Sequence, residues 1–143
     1  MDWLNEKRVE EVVALDGLPL YDETLEGRVI GYSTDVGRLS KLGRYGVFPL
    51  TGGAITGMNA ALLEICRERG LPWTGLFATT REIGRTNFKA VTSIVEVLNK
   101  MFDLDIDISA LTGKSKYPEE RTPEKTKAPT RGGLFSALRR LVG

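Results

Sequence analysis

One stretch constrains the fold of this chain more than any other: residues 45–79 spell out a complete strand–turn–helix–strand unit. YGVFPL, residues 45–50, is an apolar run of strand length, and Pro49 argues for the last residues of a strand or for an edge strand. Gly52, Gly53 and Gly57 follow, and glycine permits the positive φ that a tight turn into a helix requires. Thr56 stands where a helix cap belongs. The spacing predicts a helix over residues 56–69, with Met58, Leu62, Ile65 and Arg69 on one face. Gly57 is expected to let that helix approach the sheet closely, and Gly70 and Pro72 stop it. WTGLFAT, residues 73–79, is apolar nearly throughout, as a strand covered on both faces is.

The neighbouring residues extend this unit. VEEVVAL, residues 9–15, reads as a strand that Gly17 and Pro19 end, and RVIGYST, residues 28–34, reads as another. After the last strand, Phe88, Val91, Val95, Leu98 and Phe102 mark a helical stripe, supported by Ile94 and Met101 and capped by Thr86 or Asn87. Strands alternating with helices predict a three-layer α/β domain, with a mainly parallel sheet and helices on both faces. Composition then shifts, so residues 1–111 form the predicted domain. Residues 112–133 are rich in Pro, Lys, Glu and Thr and read as a flexible linker. Residues 134–143 bring apolar residues back at helical spacing: Leu134, Phe135, Leu138, Leu141 and Val142. They read as a short amphipathic docking helix. From Thr112 onward there are eight Lys and Arg against three Asp and Glu, net +5, while the residues before it hold twelve against sixteen, net −4. A basic tail is thus tethered to an acidic body.

Much chemistry is excluded. The chain has no histidine, which removes the usual general base, the commonest metal ligand and the Ser-His and Cys-His pairs. No catalytic residue, metal site or cofactor is expected. A formal charge of +1 gives no reason to expect nucleic acid, and no apolar run reaches membrane-spanning length. The single cysteine, Cys66, excludes an internal disulfide and fits the reducing cytoplasm; within its helix it reads as a core residue. Trp3 and Trp73 read as core or interface anchors. Gly52 and Gly57 have P-loop spacing, but Met58 and Asn59 replace the Lys and Ser/Thr that grip phosphate. Asp103, Asp105 and Asp107 alternate, yet the glycine and distal glutamate of a calcium loop are missing, so they read as a polar face or a helix cap. One small-molecule reading stays open. Thr51, Gly52 and Gly53 with Arg81, Glu82 and Arg85 are placed at the carboxyl edge of the sheet, where they could hold an anion.

TGGAITGMNAALLEICRERGLPWTGLFATT, followed by NFKAVTSIVEVLNKMFDLDIDISAL, resembles the proteasome assembly chaperone family of archaea and eukaryotes. Members carry a G-x-I-x-G turn into a helix of the form LL-x-E-x-x-x-x-G, matched here by Gly53 to Gly57, Leu62-Leu63-Glu64 and Gly70. The run Leu104 to Leu111 matches the segment that leads to a short final helix. The resemblance covers roughly residues 2–111. Such domains usually open with a further strand and helix carrying G-x-P-G-x-G-x-V-G. This chain starts after that point, so the resemblance implies either a reduced family member or a missing edge supplied by another subunit. Family members often end in hydrophobic-Tyr-any, a motif that inserts between proteasome α subunits, whereas this chain ends Leu141-Val142-Gly143. The resemblance implies a non-enzymatic protein-interaction module, as a homo-oligomer or an obligate hetero-complex, with proteasome α subunits as partners. The alternative is an anion- or nucleotide-binding protein, or weak hydrolase, using the glycine turn and the 79–85 loop.

Overall fold

The structure, a computed structural model, describes residues 2–20, 22–81 and 86–112. Helix α1 (Asp2–Glu6) leads to strand β1 (Val12–Pro19), and a single 3-10 turn at Glu23–Leu25 leads to β2 (Val29–Ser33). Helix α2 (Val36–Lys41) and a second 3-10 turn connect to β3 (Val47–Pro49). Helix α3 (Gly57–Glu68), β4 (Trp73–Thr80), α4 (Phe88–Phe102) and α5 (Ser109–Thr112) complete the described chain. One sheet has the order β1-β4-β2-β3.

The α/β expectation holds, with one difference in direction. β1 pairs with β4 and β2 with β3 in parallel, but β2 and β4 meet antiparallel at the centre. The sheet is therefore mixed. Chain length explains this. Parallel strands need a crossover of about a dozen residues or more, and only residues 20–28 separate β1 from β2. The chain therefore turns back.

β4 has cores on both sides. On one, Trp73, Ala14 and Cys66 are buried, with Leu62, Leu63, Val12 and Phe77 packed against them. On the other, Leu76 is buried with Val29, Val47, Leu42, Val97 and Met101. So α3 covers one face and α4 the other. The apolar stripes differ from those expected. Met58 is 80% exposed, and Arg69 is exposed as well; Leu62, Leu63 and Cys66 carry the inner face of α3. On α4 the fully buried positions are Ala90, Val97 and Met101, while Val91 is exposed. Apolar residues occupy about half of that helix's circumference, and the sheet selects one flank of them.

The turns correct the reading of the glycines. Asn87 caps α4, its Oδ1 accepting the Ala90 N–H at 3.1 Å. Thr56 holds the cap position of α3, but its side chain makes no cap hydrogen bond. Gly57 adopts φ +63°, yet a Cβ there would meet nothing within 4 Å. Its role is conformational, and close approach to the sheet is not involved. Close approach is found at Gly75 instead, where a Cβ would lie 2.4 Å from Cη2 of the buried Trp73. Gly17 lies inside β1 and does not end it, whereas Pro19 is the strand's last residue. β1 is an edge strand, where a missing N–H is tolerated.

These two glycines separate strain from crowding. Gly57→Ala is expected to cost about 1 kcal/mol, the price of a left-handed backbone at an L-residue. Gly75→Ala is expected to cost about 3 kcal/mol or more, because the indole has nowhere to move. Urea denaturation of both variants checks the ranking. Equal losses would sink it.

Candidate functional site

The expected anion site is half placed by the described residues. The Asn59 side chain donates from Nδ2 to Asp16 Oδ2 at 2.7 Å, which brings the start of α3 to the carboxyl half of β1. Thr51, Gly52 and Gly53 are exposed in the preceding turn, and Arg81 directly follows β4. Glu82 and Arg85 lie outside the described residues, as do Leu134, Phe135, Leu138, Leu141 and Val142. Asp103 and Asp107 of DLDID act locally. Asp103 holds the left-handed cap of α4, and Asp107 Oδ1 accepts the Ser109 N–H at 2.8 Å. Those bonds from Ser109 hold the Asp107 carboxyl below its ordinary range. Among the described residues, no group of acidic or cysteine side chains could hold a metal ion.

Two features escaped the sequence reading. The first is a polar pin at the carboxyl end of β4. Thr79, fully buried, accepts the Arg28 N–H at 3.0 Å and donates to the Leu25 carbonyl, so it anchors the first 3-10 turn to the sheet. Asn87 then donates to both Glu26 Oε1 and Thr80 Oγ1, tying α4 to the same place. The only sequence signal was a threonine inside an apolar strand.

The second is an ion pair. Arg38 Nη2 meets Glu11 Oε1 at 2.5 Å, with both side chains about three-quarters covered. The same guanidinium lies 5.2 Å from the centre of the Phe102 ring. These groups border a cavity of about 370 Å³ that Glu10, Asp35, Lys41 and Pro72 also line. Arg38 already has its carboxylate and its aromatic face. It joins α2 to the start of β1 and the end of α4, and it is not a free hook for an anion. Such a partly exposed pair contributes about 1 kcal/mol or less.

Two large aromatic side chains stay partly open on one face of the sheet. Phe48 is 47% exposed and Tyr32 37% exposed. Register places both on the α3 side of the sheet: Tyr32 pairs with Gly75, and Phe48 pairs with Ile30, which pairs with Phe77. The Arg28 guanidinium sits 4.9 Å from the Phe48 ring centre and shields part of it. Trp3, expected as an anchor, is 59% exposed. No helix of the described residues is long and apolar enough to cross a membrane.

A family model described as the PAC2 family matches residues 1–125. The chain belongs to the PAC2 family. Its fold agrees. A crystal structure of Pyrococcus furiosus PbaA, described as an archaeal homologue of proteasome-assembly chaperone, is 27% identical with a TM-score of 0.69, over 98% of this chain and 52% of that one. A Thermoplasma acidophilum protein of unknown function is 25% identical at a TM-score of 0.70, over 81% of this chain and 47% of that one. P. furiosus PbaB, described as an archaeal proteasome activator, shares the fold at 20% identity and a TM-score of 0.68, over 98% and 54% of the two chains. An uncharacterised Methanocaldococcus jannaschii protein is 35% identical over 72 residues, 50% of this chain and 30% of that one. The chain thus spans about half the length of these solved relatives and less of the curated one.

Cys66 gives a prediction. It is 1% exposed, and burial pushes its thiol above the ordinary value. The native state therefore keeps its proton longer than the unfolded chain does. The associated stability is complete below the free thiol's value of 9.0 and is lost as pH rises past it. Native protein at pH 8 is expected to resist a thiol-specific reagent that reacts at once after denaturation. Stoichiometric labelling of the folded chain would show that Cys66 is open.

Proposed function

We propose that this PAC2-family chain is a non-catalytic protein-binding module of the assembly-chaperone kind, acting in the cytoplasm on subunits of a larger complex. Proteasome α subunits are the first candidates. One observation carries the reading: the family match over residues 1–125, joined to a shared fold with PbaA. The absence of histidine from the whole chain adds support, since it removes the commonest catalytic base. So does the internal pairing of Arg38 with Glu11, which leaves that cavity without a free cation from Arg38.

Residues 134–143 are the proposed docking element, tethered through residues 112–133. Isolated helices shorter than about 12–15 residues are marginal in water, so packing on a partner must supply the order. Each large apolar side chain contributes roughly 1.5–3 kcal/mol if fully buried. The net +5 tail adds attraction to an acidic surface, but salt screens exposed charges. Apolar burial is therefore expected to dominate.

Co-expression with α subunits tests the reading. The full chain is expected to copurify with them, and Phe135→Ala with Leu138→Ala is expected to cut capture by roughly tenfold or more, since two buried side chains are lost. Neutralising Arg139 and Arg140 is expected to do less. If the arginine variant fails and the double alanine variant binds normally, the tail is an electrostatic tether. If the full chain captures no α subunit, that partner is wrong. A melting temperature raised by phosphate or ATP would point to the Thr51–Gly53 turn and Arg81 as a small-molecule site instead.

A further inference from the structure

Among the described residues two arginines lie over phenylalanine rings, and they differ in one respect. The Arg38 guanidinium is 5.2 Å from the centre of the Phe102 ring, and it also meets the Glu11 carboxylate at 2.5 Å. The Arg28 guanidinium is 4.9 Å from the centre of the Phe48 ring. Its side chain makes no hydrogen bond or ion pair among the described residues. Contact with a ring face is made by the charge, so the N–H donors of that guanidinium remain to be bonded.

The nearby acids do not take that place. Asp22 feels the Arg28 charge, but its Oδ1 accepts the Thr24 N–H at 2.9 Å and the Thr24 hydroxyl at 2.7 Å. Glu96 borders the same cavity as Arg28, about 210 Å³ in volume and lined also by Phe48, Tyr45, Ser93 and Lys100. It forms no ion pair across that cavity. Lys100 lies one helical turn beyond Glu96. The Lys89 stem lies against Gly27, where a Cβ would meet its Cγ at 2.8 Å. On a body of net −4 this is a local concentration of cations.

The place is well fixed. The Arg28 N–H donates to Thr79 Oγ1 at 3.0 Å, and the Arg28 carbonyl accepts the Thr79 N–H at 2.8 Å. The side chain is exposed, so replacing it leaves those backbone bonds intact. The cavity lies where β2 and β3 start beside α4, at the end of the strand order remote from β1.

We propose that Arg28, Phe48 and Lys100 form a seat for an acidic side chain of a protein partner, an aspartate or glutamate carboxylate. The chain's other arginine–phenylalanine stack is completed by a carboxylate, and the planar fork of a guanidinium matches one. The half-open Phe48 ring offers an apolar wall to the methylenes that carry the acid. Phosphate fits less well, because it carries more than one charge at neutral pH and Glu96 opposes it. Arginine and aromatic side chains are also enriched at protein interfaces. The proposal rests on the protein-binding reading, but on neither the α subunits nor residues 134–143.

NMR of the full chain can follow the side-chain Nε–H signals of Arg28 and Arg38. A capped pentapeptide, Gly-Leu-Glu-Leu-Gly, is expected to move the Arg28 signal saturably and to leave that of Arg38, already held by Glu11, in place. The glutamine counterpart of the peptide and inorganic phosphate are expected to bind more weakly. Arg28→Gln, read at the Gly27 and Gly46 amides, is expected to weaken peptide binding about tenfold while circular dichroism stays native. Arg28→Lys is expected to lose nearly as much, since lysine keeps the charge and loses the fork. Glu96→Gln is expected to tighten binding by removing a competing carboxylate. Equal movement of both arginines, no saturable movement of Arg28, undiminished binding of the glutamine peptide or in Arg28→Lys, tighter binding of phosphate, or weaker binding in Glu96→Gln would each overturn the proposal. No α subunit is present in these titrations, so capture of α subunits can fail while the Arg28 seat stands, and the reverse.

Discussion

Everything in this domain rests on the contact between Trp73 and Gly75 in the central strand. The indole fills the space in which a side chain at residue 75 would begin, with Phe77 Cε2 close on the other side of that space. The ring can be fully buried only because residue 75 has no side chain. A buried tryptophan removes some 150–250 Å² from water, worth about 4–6 kcal/mol at the usual coefficient. Against this, its Nε1–H has no acceptor among the described residues, at a cost of about 1–3 kcal/mol. Burial wins. The ring then supplies the floor on which Cys66, Leu62 and Leu63 seat α3. On the opposite face Leu76 does the same for Val97 and Met101 of α4.

Sequence patterns revealed the elements better than their orientation. Apolar runs at residues 28–34, 45–50 and 73–79 all contain strands, and the two long helices lie where their periodicity puts them. Periodicity could not choose between flanks of α4, because Val91 and Val95 are as apolar as Ile94 and Val97. The sheet decided, and contact with a sheet is a long-range property. The antiparallel centre was hidden for a related reason. It follows from the short link between β1 and β2, and the helix–strand alternation does not report link length. Helices α1 and α2 are too short for a periodic signal. Arg38 in α2 earns its place through Glu11 and Phe102, partners far off in the chain.

The candidate site was legible only as chemistry removed. The missing histidine and the replaced Lys and Ser/Thr of the P-loop pattern pointed away from catalysis without naming a surface. Polar residues inside apolar strands carried more information than they first gave. Thr79 and the Ser33–Thr74 hydroxyl pair, 2.9 Å apart, are buried and satisfied, so they hold turns and strands in place. What the sequence could not express is which backbone groups of β1 face outward. That depends on the register with β4, and register is set across sixty residues of chain.

A helix with its side chains is about 10 Å across, and strands lie about 4.8 Å apart, so one helix covers roughly two strands. This sheet has four. On the α4 side, Leu42 and Tyr45 extend the cover over β2 and β3. On the α3 side no described helix does so, and Tyr32 and Phe48 stay partly open, with Arg28 stacked on the latter. At the far edge, Leu15 is open as well. The backbone of β4 pairs on one side with β1 and on the other with β2.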